Sequence, residues 1–133
     1  IAKKLESYEQ SLYNEKKVLI IDNDEEEIDK IAKILKQENF IIDTSLYERD
    51  VIEKIKSKLK YDLIILDDEM REFSALAVLQ ELKKEHEFNT PVVIMINNNK
   101  EGIKLHYLKD GFYDCISKTK LDSEVKRIAN RIK

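Results

Sequence analysis

An α/β fold built on a doubly wound, five-stranded parallel sheet is what this sequence predicts, and two observations carry the prediction. Five short, nearly unbroken apolar runs recur along the chain: Val18–Ile21, Phe40–Thr44, Leu63–Leu66, Val92–Ile96 and Phe112–Ser117. A strand covered on both faces, as in a parallel sheet, reads as a continuous apolar run rather than an alternation. Between the runs lie stretches whose apolar residues recur at helical spacing, so strand and helix alternate and stack as three layers.

Taken in order, residues 1–16 come first. They place Ile1, Leu5, Tyr8 and Leu12 at spacings of four, three and four, an apolar seam on one helix face. We expect a leading N-terminal helix, a linker from a preceding domain that packs on its own domain or against a partner. Residues 17–133 are expected to form the domain proper. Its first helix carries Ile28, Ile31, Ala32 and Leu35 on one face, and the second Val51, Ile52, Ile55 and Leu59. A third stripe is Leu76, Leu79 and Leu82. Ile103 and Leu108 mark a fourth helix, stopped by Gly111, and Val125, Ile128, Ala129 and Ile132 mark the last.

The chain has 133 residues, one domain's worth, with 42% apolar and 38% charged residues. A net charge of −3 with both signs interspersed gives no basic field for nucleic acid, so no direct nucleic-acid partner is expected. No apolar run approaches the roughly 18 residues of a membrane span, and no signal peptide opens the chain. We expect a cytoplasmic fragment of a longer protein, with no membrane partner. With two glycines in all, no strand is followed by a glycine-rich loop, which argues against dinucleotide and P-loop phosphate binding. The one cysteine, Cys115, is expected to be buried and inert. His86 and His106 lack metal-ligand spacing and are expected on helix surfaces. Tyr47, Tyr61, Tyr107 and Tyr113 are expected to pack with wet hydroxyls.

Open parallel sheets bind ligands outside the carboxyl ends of their strands. Here Asp22-Asn23-Asp24 follows the first run, Asp67-Asp68-Glu69 the third, Asn97-Asn98 the fourth and Lys118-Thr119 the fifth. If the first and third strands are neighbours, their ends lie about 5 Å apart and carboxylates converge. Carboxylates that close repel unless neutralised, and a hard cation such as Mg²⁺, held by one or two carboxylates, does so. The pattern points to an acyl-phosphate site: Asp67 as nucleophile, Asp22 and Asp24 as metal ligands, Lys118 as counter-charge. Glu25–Glu27 are expected to be solvated acids favoured by the helix dipole, and Asp68 and Glu69 plain loop acids. Such a cluster without metal predicts that Asp67→Asn relieves repulsion.

At these residues the sequence resembles the receiver domain of two-component response regulators, from about Lys17 to Ile132. The resemblance rests on Val18-Leu-Ile-Ile-Asp22-Asn-Asp24, Tyr61-Asp-Leu-Ile-Ile-Leu-Asp67-Asp-Glu-Met70, Thr90-Pro-Val-Val-Ile-Met95 and Lys118. It implies a CheY-like, flavodoxin-like sheet of order 2-1-3-4-5. It makes Asp67 the phospho-acceptor and a metal ligand, and Asp22 a Mg²⁺ ligand, with Asn23 or Asp24 as a further one. Lys118 becomes the phosphoryl contact.

The sequence also departs from that pattern. The second acid after the first strand is Asn23, which weakens the Mg²⁺ site. Ile96 stands where a Ser or Thr ends the fourth strand, and Cys115 where an aromatic switch residue is usual. Thr119 follows the lysine in place of proline, and Arg71-Glu72 replaces a Pro-Gly turn. The mixture resembles the second, adaptor receiver of PleD-type diguanylate cyclases. That likeness implies a degenerate, non-enzymatic dimerisation or adaptor module. Its partner would be a second copy or a sibling receiver, with an output domain in the same chain.

The alternative within the family is a competent receiver that takes a phosphoryl group at Asp67 from a histidine kinase or phosphotransfer protein. Asp22-Asn23-Asp24 also resembles the Asp-x-Asp of haloacid-dehalogenase-like phosphatases. In those enzymes, however, the second acidic pair follows the lysine, whereas Asp67-Asp68 precedes Lys118.

Overall fold

The computed structural model describes residues 16–57, 60–70, 72–97 and 102–133. Strands and helices alternate: β1 Lys17–Ile21, α1 Glu25–Gln37, β2 Ile41–Ser45, α2 Glu48–Lys56, β3 Leu63–Asp67, α3 Ala75–Lys83, β4 Val92–Ile96, α4 Ile103–Asp110, β5 Asp114–Ser117 and α5 Leu121–Ile132. A single 3₁₀ turn, Lys118–Lys120, joins β5 to α5. The five strands form one parallel sheet in the order β2-β1-β3-β4-β5, as the family likeness implies. The expected leading helix over residues 1–16 lies outside the described residues, apart from Lys16.

The apolar runs form strands because each is covered twice. Along β1 successive side chains point to opposite faces. Val18 and Ile20 join the core under α1 and α5, with Ile31, Leu35, Val125 and Ile128. Leu19 and Ile21 join the other core, under α2 and α3, with Val51, Leu79 and Leu82. All four residues of β1 from Val18 to Ile21 are fully buried, each burial worth about 1.5–3 kcal/mol. An alternating sequence would have left one of these faces wet.

Several expected boundaries shift. β2 starts one residue later than expected and is half-exposed, unlike the other edge strand, β5, whose four residues are all buried. β5 begins at Asp114 rather than Phe112. Ile103 and Leu108 mark α4 as expected, but Leu108 is exposed, as is Leu105, and no residue of that helix is buried. Gly111 ends α4 in the left-handed region at φ 109°, as its position foretold.

The register aligns the carboxyl ends at one rim. Ile21 pairs with Leu66, Asp67 with Met95, and Ile96 with Ser117. The residues leaving β1, closing β3 and following β5 therefore open into the same space.

Candidate functional site

Asp22 and Asp67 stand side by side at that rim, and Lys118 enters from the turn after β5. Asp22 is fully buried and Asp67 nearly so. Lys118 Nζ lies 2.5 Å from Asp67 Oδ1, 3.3 Å from Glu27 Oε1 and 3.9 Å from Glu69 Oε2. Burial works against the lysine's charge. The hydrogen bond to Asp67 and the charges of Asp67, Glu27 and Asp22 outweigh it and raise the Lys118 pKa.

The three residues most heavily weighted from sequence are thus brought together. A fourth joins them that the sequence reading had assigned to solvent. Carboxylate oxygens of Asp22, Glu27 and Asp67 all lie within 4.8 Å of one another. Glu25 and Glu26 are exposed as expected, but Glu27 turns inward and its side chain is only 15% exposed.

The cause is a change of partners at the start of α1. Asp24 is the N-cap, and its Oδ1 accepts the backbone N–H groups of Glu26 and Glu27. In a capping box the third helical residue, here Glu27, would reach back to the N–H of the cap. That N–H instead donates to Asp22 Oδ1 at 3.0 Å. Glu27 is left without that local partner and faces the sheet. Asp24, offered as a metal ligand from sequence, is spent on capping and stays exposed outside the cluster. Asn23 is exposed at the edge of a neighbouring cavity it shares with Leu46, Tyr47, Glu48 and Glu72.

Asp22 has no cation within ion-pair distance among the described residues, and its Oδ2 is buried without a hydrogen-bond partner. Burial chiefly, then the carboxylates of Glu27 and Asp67, push its pKa up to about 9 against the pull of the Asp24 N–H. Asp67 Oδ1 takes both the lysine and the Glu69 N–H, at 3.1 Å. A buried oxygen without a donor, in a pocket whose acids outnumber its lysine, suits a hard divalent cation. Asp22, Asp67 and Glu27 are the residues that could hold it.

The β4–β5 side of the rim differs. Ile96 and Cys115 are both buried, and burial pushes the Cys115 thiol up to about 11, consistent with an inert residue. Tyr107 of α4 donates its hydroxyl to Asp68 Oδ1, so this ring is not wet as expected, nor is Asp68 a free loop acid. Tyr61 likewise donates to Asp43. Tyr47 is exposed, and Tyr113 packs under Arg131, whose guanidinium carbon lies 4.8 Å from the ring centroid. His86 and His106 are exposed as expected. No helix among the described residues is long and apolar enough to cross a membrane.

Comparison with known proteins places this geometry. The regulatory protein VanR of Enterococcus faecium is 29% identical over 102 residues, which are 77% of this chain and 43% of VanR. A CpxR-homologue transcriptional regulatory protein of Haemophilus influenzae is 26% identical over 109 residues, 82% of this chain and 46% of its own. The chain therefore spans under half the length of these curated relatives. Among solved structures, the chemotaxis response regulator CheY4 of Vibrio cholerae superposes with a TM-score of 0.80 at 16% identity, covering 90% of this chain and 100% of that one. The receiver domain of a Pseudomonas aeruginosa sensor histidine kinase, solved with magnesium coordinated in its active-site cleft, gives 0.77 at 16% identity over 88% and 96%. Both share the fold. The profile of the response regulator receiver domain matches residues 18–130, so this chain belongs to the response regulator receiver family.

Proposed function

We propose that this chain is a phosphorylation-competent receiver that takes a phosphoryl group on Asp67 from a histidine kinase or phosphotransfer protein. One observation carries the reading: the 2.5 Å contact between Lys118 Nζ and Asp67 Oδ1 at the floor of a pocket walled by Asp22 and Glu27. An Asp67 carboxylate oxygen attacks phosphorus, the bond from phosphorus to the donor breaks, and its electron pair leaves with the donor. Lys118 stays protonated and offers its charge to the phosphoryl oxygens. A divalent cation, when bound, supplies positive charge that lets the anionic phosphoryl group approach the anionic aspartate. Residues 1–16 would link this domain, 17–133, to a preceding one in a cytoplasmic protein with an output domain in the same chain.

The test is incubation with acetyl phosphate and Mg²⁺ followed by intact-mass spectrometry. The reading expects one phosphoryl adduct on the wild type and none on Asp67→Asn. An unmodified wild-type protein would overturn it.

A second reading has its own observation. Ile96 and Cys115 are buried, and neither can be the hydroxyl donor or the aromatic rotamer of the usual relay. They favour the adaptor role implied by the likeness to PleD-type receivers, in which the domain pairs with a copy of itself or a sibling whatever the state of Asp67. Sedimentation velocity with and without beryllofluoride separates the two: an unchanged dimer supports the adaptor, a beryllofluoride-dependent one the switch.

A further inference from the structure

Three carboxyl groups and one ammonium meet at the rim, so acids outnumber bases in a mostly buried pocket. The family pattern places two consecutive acids after the first strand, and this chain has Asn23 at the second of them. We propose that Glu27 makes up the negative charge of that missing acid, as a third carboxylate ligand of a hard divalent cation held with Asp22 and Asp67. The inference rests on reading the pocket as a cation-assisted phosphoryl acceptor and adds to it a residue from α1.

An acidic cluster alone would not carry this. The second observation is Asp22, a fully buried side chain of the cluster whose Oδ2 has no hydrogen-bond partner among the described residues. Its Oδ1 is taken by the Asp24 N–H, so the free oxygen is the one left to bind a ligand. The plain alternative makes Glu27 a counter-ion for Lys118. The distances rank that role second: Asp67 holds the ammonium at 2.5 Å, while Glu27 Oε1 stands 3.3 Å away and makes no hydrogen bond. A counter-ion role also leaves Asp22 Oδ2 buried without a partner, whereas a cation serves all three carboxyl groups at once. Glu27 costs the helix no cap, since Asp24 already satisfies the first N–H groups of α1.

Calorimetric titration of the full chain with Mg²⁺, backed by Mn²⁺ binding followed by electron paramagnetic resonance, tests the assignment. Glu27→Gln keeps the shape and removes the charge. It should weaken both cations about tenfold or more, because ligand charge sets the affinity of such sites. The exposed neighbour Glu26→Gln should leave binding unchanged. Asn23→Asp placed in the Glu27→Gln background should recover much of the loss. The Glu27→Gln variant should melt no lower than the wild type without metal, so lost binding is not lost folding. Unchanged cation affinity in Glu27→Gln, or no recovery by Asn23→Asp, overturns the replacement. The two readings fail differently. Cation binding that survives Glu27→Gln alongside a normal Asp67 adduct sinks only the role of Glu27. Binding lost in Glu27→Gln without any adduct on the wild type sinks only the acceptor reading. A wild type that binds neither cation sinks the role of Glu27 outright.

Discussion

The two sides of the carboxyl rim are built from opposite materials. Around β1, β3 and α1 the rim is charged and buried: Asp22, Glu27 and Asp67 crowd one lysine. Around β4, β5 and α4 no such charge cluster forms among the described residues: Ile96 and Cys115 lie under cover, and the polar links are neutral or singly charged, Ser117 with Thr119, Asn97 to Glu69 and Tyr107 to Asp68. Acceptor chemistry and its readout are separable parts of a receiver. The first needs charges converging on one carboxylate, and the second a donor and a rotamer that respond to a phosphoryl group. This chain brings the charges of the first together, and it buries Ile96 and Cys115 at the positions where the family pattern has the second.

The comparison breaks most severely at Lys118. Lys118→Met removes the cation and leaves three carboxylates in a buried pocket, and breaking a buried pair in this way costs about 3–5 kcal/mol. Urea denaturation without metal should show that loss, and saturating Mg²⁺ should return part of it. A loss under about 1 kcal/mol would mean the pocket is wetter than its burial indicates.

Asp22 is the next lever. The sequence pointed to Asp67→Asn as the substitution that relieves repulsion, but Asp67 has the lysine, and Asp22 has no cation within ion-pair distance among the described residues. Asp22→Asn can still accept the Asp24 N–H and should stabilise the metal-free protein by about 1–3 kcal/mol at neutral pH. The same residue sets a pH dependence. Its folded pKa is raised, from an ordinary 3.8 to about 9, so the folded state holds a proton that the unfolded chain releases. Its contribution is complete below about pH 4 and is lost as pH rises toward 9. Metal-free wild type should therefore lose stability across that window relative to Asp22→Asn. Parallel melting curves for the two proteins would contradict this.

Ile96→Thr sharpens the contrast from the other side. A hydroxyl at this buried position should cost about 1–2 kcal/mol in thermal denaturation. It should also let beryllofluoride shift the amide resonances of β4 and α4, which the wild type should leave nearly still. The smallest expected effect is Tyr107→Phe, which removes the hydroxyl bonded to Asp68 and should cost about 1 kcal/mol. Its melting curve is expected to move whether or not beryllofluoride is present.

Why some of this was legible before any coordinates follows from the strands. A parallel sheet collects its strand ends at one rim, so acids after the first and third apolar runs and a lysine after the fifth had to meet once the order was known. The three central strands were the most legible because burial on both faces erases polar residues, while β2 and β5, which carry Asp43, Thr44, Asp114 and Ser117, shifted at their starts. Glu27 was hidden because its direction depends on which group takes the Asp24 N–H, a choice made by Asp22 in three dimensions. Spacing alone allowed the local capping box. The Tyr107–Asp68 bond joins residues 39 apart and left no trace in either segment.

A crystal structure of the beryllofluoride complex grown with Mg²⁺ tests the central claim most directly. The account predicts beryllium bonded to an Asp67 carboxylate oxygen, fluoride within reach of Lys118 Nζ, and the metal touching Asp22 and Asp67. Beryllofluoride absent from Asp67, or Lys118 turned away from it, would contradict the account.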